Sequence, residues 1–371
     1  MRVLLLHNRY RAEGGEERAV GELHGLLRRR GHSVVLLERS SAALGRTRAA
    51  RALVRGGEDP EEVARIVRDR RIEVVHAHNL HPLFGWRALA AARREGARTF
   101  LHLHNFRLFC AIGVAFREGR PCHECRGQNT LPGLIHRCRG GLGEAGIYAA
   151  ALALQQPRLL AEADRLIVPS HAHGRLLERH GLAMERVSVI PHFVTGSAAA
   201  SRAADGTYAL ACGRLVEEKG FDTAVLACRS AGVPLVIAGV GPDEARLRRL
   251  GEGSEVRFAG WLPAEELAQA RAGAGVALAP SRCEESFGYS VLDALGSGVP
   301  VLVSDRGGLP EMAAAQNTLP SQDTDAWASR LRALWADRQG RRSCGEAALE
   351  LARGKFGEDH AYAALMQAYG G

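Results

Sequence analysis

Short, nearly continuous apolar runs recur along the chain, separated by stretches whose apolar positions repeat with the period of a helix. Residues 2–7 read RVLLLH, the mark of a strand buried on both faces. Residues 16–30 place Val20, Leu23, Leu26 and Leu27 on one side of a helix. The alternation continues with strands at 32–37, 73–76 and 99–103, and helices within 51–54, 60–70 and 86–94. After an interruption it resumes with a long helix at 146–163, a strand at 166–168, a helix at 171–180 and a strand at 187–190. A second series starts at 208–211, with strands at 235–238, 256–258, 276–279 and 299–303. Strands alternating with helices predict parallel, doubly wound α/β sheets.

With 371 residues, the chain is long enough for two such cores. Residues 195–206 (TGSAAASRAADG) have no apolar periodicity and read as a linker. They divide an N-terminal domain, 1–194, from a C-terminal domain, 207–371. The N-terminal domain carries an aperiodic, cysteine-bearing insertion at 105–145. In open α/β sheets ligands sit at the carboxyl ends of the strands, so a two-domain protein would bind between facing rims.

The chemistry concentrates in PSRCEESFGYSVLDALGSGVPVLVSDRGGLPE, residues 280–311. A strand stops at Pro280-Ser281, a polar loop carries Glu284 and Glu285, and Phe287-Gly288 opens a helix that ends near Gly296. Unpaired N–H groups at that N-terminus, from Phe287 through Gly288, Tyr289 and Ser290, suit a phosphate. Glu285 stands before the helix and Asp293 two turns into it, placed to meet hydroxyls on either side of the anion. An anion flanked by two polyols is a sugar nucleotide. A solvated acidic loop before an ordinary helix is the plain alternative.

This block resembles the Glu-x7-Glu signature of the retaining family-4 glycosyltransferases, with Asp293 one methylene shorter than the family's second Glu. The resemblance spans almost the whole chain and implies the GT-B fold: two Rossmann-like, doubly wound domains facing across a cleft. It implies a hexosyltransferase that needs no metal and moves a sugar from a UDP- or GDP-sugar to an acceptor hydroxyl. The acceptor would be a sugar, a lipid-linked molecule or a small molecule. Carried over, Glu285 contacts the transferred sugar and Asp293 the ribose. Gly213-Arg214 and Lys219-Gly220 resemble the element whose Arg and Lys hold the diphosphate. Two cations neutralise a leaving diphosphate better than a helix end, since a unit charge at about 4 Å and a dielectric of 20 contributes roughly 4 kcal/mol.

Further matches follow. Gly239-Val240-Gly241-Pro242 resembles the family's Gly-x-Gly-Pro turn, and Trp261 ends a strand where the family binds the base. Trp261 would stack on a base or serve as a half-buried structural side chain. Gly15, in the turn before the first helix, would approach the diphosphate and sugar, and His104 the sugar and acceptor. Glu311 would support the loop 307–311. The final helix, 359–369, resembles the segment that crosses back to the first domain. A GT-B sugar-nucleotide epimerase and a non-catalytic sugar-nucleotide-binding protein are the competing readings.

Metal chemistry has three candidates. Asp323-Thr324-Asp325 reads as an acidic helix N-terminus, not as a metal-binding Asp-x-Asp. The pairs His76/His78, His102/His104 and His171/His173 lack an evident third ligand. Cys122 and Cys125 form a C-x2-C flanked by Cys110 and Cys138. In a reducing compartment that set is either four ligands of a structural zinc or four free thiols. A family subset with such cysteines after HNFRL resembles residues 104–110.

The net charge of +8 fits a phosphorylated substrate or an anionic membrane face. No nucleic-acid-binding signature accompanies it, so nucleic acid is not an expected partner. The opening apolar run is too short for a signal peptide, and no stretch reaches the length of a membrane span, so the chain reads as cytoplasmic, with peripheral membrane contact left open.

Overall fold

The computed structural model describes residues 1–9, 14–41 and 44–370. The chain divides into two compact units: one of Met1–Ala115, His123–Ile190 and Tyr362–Gly371, the other of Phe116–Cys122 and Pro191–Ala361.

The first unit holds strands β1 (Arg2–Arg9), β2 (Ser33–Ser40), β3 (Val74–Ala77) and β4 (Arg98–His102). The hairpin strands β5 (Phe116–Arg117) and β6 (Arg120–Pro121) count with the second unit; β7 (Arg165–Val168) and β8 (Val187–Val189) complete the first. Its helices are α1 (Gly15–Arg29), α2 (Arg46–Arg55), α3 (Pro60–Asp69), α4 (Gly85–Arg94), α5 (Leu131–Ile135), α6 (Leu142–Glu162) and α7 (His171–Arg179). The sheet is parallel, in the order β2-β1-β3-β4-β7-β8. Its hydrophobic run suits β1 to an interior place between β2 and β3: Leu4 and Leu6 enter one core, while Val3 and Leu5 enter the other. That second core is closed by Leu23 and Leu27 of α1 and by Leu365, Ala368 and Tyr369 of the last helix, α14 (Glu358–Gly370), after α8–α13 of the second unit.

Those helices are α8 (Phe221–Ala231), α9 (Glu244–Leu250), α10 (Ala264–Ala272), α11 (Tyr289–Gly296), α12 (Thr324–Ala336) and α13 (Arg338–Arg353). The strands are β9 (Tyr208–Cys212), β10 (Leu235–Ala238), β11 (Val256–Gly260), β12 (Ala274–Ala279), β13 (Val301–Ser304) and β14 (Thr318–Leu319). They form a second parallel sheet, β11-β10-β9-β12-β13-β14, the Rossmann order. Successive residues again feed opposite cores: Ala209 and Ala211 one, Leu210 the other. Covering both faces is why these strands read as continuous apolar runs.

Two stretches differ from expectation. Residues 195–206 are not a free tether. Ser201 Oγ donates to Gly298 O at 2.6 Å, and the Arg341 guanidinium donates to Ala203 O at 3.2 Å and Ala204 O at 3.1 Å. Small Ala and Ser side chains leave no periodic signal but let this backbone pack against α13. The insertion at 105–145 likewise has an anchor: Phe106, Leu108 and Phe109 are buried in the first core, and the Phe109 ring stacks on His180 with centroids 3.7 Å apart.

Candidate active site

In the second unit β9 lies between β10 and β12, so the crossovers diverge at the gap between β9 and β12. Doubly wound sheets bind ligands at the carboxyl ends of the strands there. The chain leaves β9 through Gly213 and Arg214 into a 3-10 turn, Glu217–Lys219; it leaves β12 through Pro280 and Ser281. Both Arg282 N and Cys283 N donate to Glu218 O, at 2.8 and 3.3 Å. Between the loops Gly220 has φ +64°, and a Cβ there would lie 2.1 Å from Pro280 O. Only glycine allows this approach.

The approach brings Lys219 to Glu285. Lys219 Nζ donates to Glu285 Oε1 at 2.5 Å, and Ser281 Oγ donates to the same oxygen at 2.5 Å. Burial works against the ammonium, but the attraction of Glu285 outweighs it and holds the Lys219 pKa above the ordinary lysine value. The lysine therefore stays charged. The backbone of Glu285 is fixed from the far side: Gly308 N donates to Glu285 O at 2.7 Å, and Gly307 N to Glu284 Oε2 at 2.8 Å. Gly307 has φ +56°, with room for no side chain, since Glu285 O would lie 2.1 Å from a Cβ. A further pair braces the loop: Arg282 donates to Asp222 Oδ2 at 2.7 Å.

Next to this cluster, Gly288 caps α11. Phe287 is buried and packs on Phe356, whereas the Tyr289 ring stacks on His192 with centroids 4.7 Å apart. Ser290 is exposed. Asp293 faces Arg271 of α10, with Oδ2 and Nη1 3.6 Å apart. A cavity of about 200 Å³ opens here, lined by Gly213, Arg271, Ser290 and Asp293 together with apolar residues of β9 and β12. Burial pushes the Cys212 thiol in its wall up to about 12, so it stays protonated. The site thus offers a fixed ammonium, the N–H groups of a helix and two carboxylates. Such a set is chemically able to bind an anion and hydroxyl groups.

Two family models match the chain in succession: Glycosyltransferase Family 4 over residues 13–195 and Glycosyl transferases group 1 over residues 197–351. This chain belongs to the family-4 glycosyltransferases. A D-inositol 3-phosphate glycosyltransferase of Nocardia farcinica is 31% identical over 245 residues, covering 58% of this chain and 54% of that protein. A GDP-mannose-dependent phosphatidylinositol dimannoside mannosyltransferase of Mycobacterium tuberculosis is 41% identical over 112 residues, 29% of each chain. The chain therefore spans about half or less of the curated relatives it matches first. Among solved structures, sucrose-phosphate synthase of Thermosynechococcus elongatus superposes with a TM-score of 0.71 at 19% identity, covering 99% of this chain and 98% of that one. Anabaena HepE in complex with UDP gives 0.65 at 16% identity, with 100% of both chains covered. These likenesses establish the GT-B fold.

Within this family-4 chain, the expected donor residues fall into two groups. Lys219 and Glu285 come together just ahead of α11 in the chain, and Asp293 shares a cavity with Ser290. Arg214 and Trp261 reach into solvent: Arg214 is 67% exposed, 3.7 Å from Glu218, and Trp261 is 72% exposed. The Phe287 side chain is a core residue, so only its backbone is available to a ligand. Sequence reasoning missed Ser281, Arg271 and His192. Arg271 and His192 sit outside the 280–311 block, Ser281 sits inside it only as the residue that ends the strand, and no local pattern separates any of them from ordinary polar residues.

In the first unit, Gly15 opens α1 and His104 follows β4. Glu16 and His104 line one small cavity of about 40 Å³, and Asn105 Nδ2 donates to Glu16 Oε2 at 3.1 Å. Adjacent parallel strands turn the expected histidine pairs into a larger array. Ligand atoms of His76, His78 and His102 all lie within 4.8 Å of one another, so the expectation that no third imidazole joins a pair is corrected. Both His76 nitrogens are engaged, Nδ1 with the Tyr369 hydroxyl at 2.6 Å and Nε2 with His102 Nδ1 at 3.1 Å. Burial drives the His76 pKa down to about 3, so this ring is a neutral hydrogen-bonding group. His78 Nδ1 meets His104 Nε2 at 2.8 Å, which orients the His104 ring.

The cysteines do not gather as a zinc site requires. Among the described residues, no cysteine joins a group of three or more converging ligands. Cys125 and Cys138 both approach Gly133: Cys138 N donates to its carbonyl at 3.0 Å, and Cys125 Sγ would lie 3.7 Å from a Cβ there. Asp323 is also accounted for, since its side chain accepts from Ala326 N at 2.9 Å and caps α12.

Proposed function

We propose that this family-4 protein is a retaining hexosyltransferase that moves a sugar from a UDP- or GDP-sugar to an acceptor hydroxyl, with no metal in the reaction. The observation that carries this reading is the Lys219–Glu285–Ser281 cluster beside the cavity at the β9/β12 gap. Lys219 and the first N–H groups of α11 would hold the diphosphate as negative charge grows on it, with exposed Arg214 folding in when the anion arrives. Asp293 would accept the ribose hydroxyls and Glu285 those of the sugar, while Trp261 would lie over the base. Gly15 would approach the sugar through its backbone, and His104 is assigned to the acceptor. Attack on the face that the phosphate vacates gives retention, the phosphate taking up the acceptor proton.

Zinc is not part of this reading, because the thiols do not converge. Among the described residues no helix is long and apolar enough to cross a membrane. The net charge of +8 suits work at an anionic, cytoplasmic membrane face.

The test compares Glu285→Ala with the parent on GDP-mannose, UDP-glucose and UDP-N-acetylglucosamine, in buffer with EDTA. Release of nucleoside diphosphate should stop. Binding of the free diphosphate should be unchanged or tighter, since Lys219 loses the carboxylate that competes for it. Undiminished release in the variant refutes the assignment. Conversion of the sugar nucleotide without diphosphate release would identify an epimerase, and binding without turnover of any kind a non-catalytic binder.

A further inference from the structure

A cavity of about 620 Å³ lies within the first unit, in the size range of small-molecule sites. Two helices turn whole faces into it. From α2 come Ala49, Ala50 and Leu53, which share one side of the helix with Arg46; from α6 come Ile147, Tyr148 and Leu152. At the base stands Asn8, at the carboxyl end of β1 and beside the gap between β1 and β3 where this sheet's crossovers diverge. Asn8 is 1% exposed. Its Nδ2 donates to Ser41 Oγ at 2.8 Å, but its Oδ1 accepts no hydrogen bond among the described residues. A buried carbonyl oxygen left so is costly unless a ligand donor completes it.

The polar wall is positive. Arg46 has no hydrogen-bond or ion-pair partner among the described residues and sits in the first turn of α2, where the helix dipole disfavours a cation. It is therefore not there to support the helix. Arg107 lays its stem across Gly113 and faces the cavity, and His81 beside it is held neutral by burial and by that charge. The acidic residue of the lining, Glu144, is neutralised by Arg139 at 3.2 Å, whose guanidinium also covers the Tyr148 ring at 3.9 Å. Ile147 is 39% exposed at the rim, and Leu154, two turns along the same face of α6, is 48% exposed. The apolar stripe thus continues out of the cavity.

Resting on the transferase reading, we infer that this cavity takes the acceptor and that the acceptor is an anionic amphiphile. It would offer a hydroxyl to Asn8, a phosphate to Arg46 and Arg107, and an apolar chain to the stripe on α2 and α6. Arginine forks match phosphate geometry better than a point charge does.

The experiment titrates the full chain with dodecyl phosphate, dodecyl maltoside and inorganic phosphate, the detergents below their micelle concentrations. Dodecyl phosphate should bind, and Arg46→Glu should weaken it about tenfold, a loss that shrinks in high salt. Ile147→Asp should weaken it as well. Inorganic phosphate alone and the neutral maltoside should each bind at least about tenfold less tightly than dodecyl phosphate. Equal binding of the maltoside, or no response to Arg46→Glu, overturns the inference. GDP and UDP titrations run alongside on the same variants and should be unaffected. Loss of nucleotide binding by the parent would sink the transferase reading, whereas intact nucleotide binding with no preference for dodecyl phosphate sinks the acceptor class alone.

Discussion

Replacing Lys219 by Ala tests the donor site through a charge whose surroundings are defined. The ammonium is 2.5 Å from Glu285 Oε1, with its side chain 26% exposed. A unit charge about 4 Å from a phosphate oxygen at an effective dielectric of 20 contributes about 4 kcal/mol. Partial exposure and the need to share the lysine with Glu285 reduce the net effect to about 2–3 kcal/mol, or about 30- to 150-fold in Kd. Removing the lysine has a second consequence. Glu285 keeps Ser281 as a donor but loses its counter-charge, and a carboxylate next to an arriving diphosphate repels it. The double variant Lys219→Ala/Glu285→Gln should therefore bind better than Lys219→Ala alone, by about fivefold, a coupling typical of groups in contact. Calorimetric titration with GDP and UDP in EDTA, with thermal melting to confirm folding, measures both quantities. A loss under about threefold in the single variant, or no recovery in the double, would show that Lys219 does not face the diphosphate.

Three further outcomes follow from other parts of the molecule. Asp293→Ala should weaken GDP or UDP about tenfold while leaving pyrophosphate binding unchanged, because the carboxylate is assigned to the ribose; equal loss for both ligands contradicts that assignment. Gly307→Ala should remove transfer and lower the melting temperature, since φ is +56° and a Cβ would lie 2.1 Å from Glu285 O; wild-type turnover would mean the loop does not position Glu285. His173 is buried, has both ring nitrogens without hydrogen-bond partners among the described residues, and has its pKa driven down to about 3 by burial. In the unfolded chain it binds a proton below about 6.5, so native stability falls as pH drops from there towards 3, by about 2 kcal/mol at pH 5. His173→Leu should flatten that slope in denaturant titrations between pH 5 and 7, and an unchanged slope would refute it.

The alternation of apolar runs was enough to place both sheets except the two-residue edge strand β14, because strands covered on two faces carry the strongest local signal a sequence has. It did not reveal strand order. The contrast between β2-β1-β3 in one unit and the Rossmann order in the other arises from which crossover goes to which side, and no residue pattern within a strand encodes that. The packed stretch 195–206 was misread for a related reason: burial of Ala203 and Ala204 depends on α13, more than 130 residues away.

The candidate site divides along the same line. Glu285, Lys219 and Asp293 were legible because a carboxylate before a helix, another two turns in, and a cation after a strand are local arrangements. Their partners are long-range: Ser281 is near in sequence, but Lys219 lies 66 residues from Glu285, and Arg271 reaches Asp293 from another helix. The motif therefore names the groups, and the fold sets their partners. Glu285 is held by Lys219 and Asp293 faces Arg271, so each carboxylate proposed to bind hydroxyls stands beside a cation. A diphosphate that draws Lys219 away frees Glu285 for the sugar at the same moment. On this geometry, sugar recognition by Glu285 depends on the diphosphate, and a free hexose should bind measurably only when GDP or UDP is present.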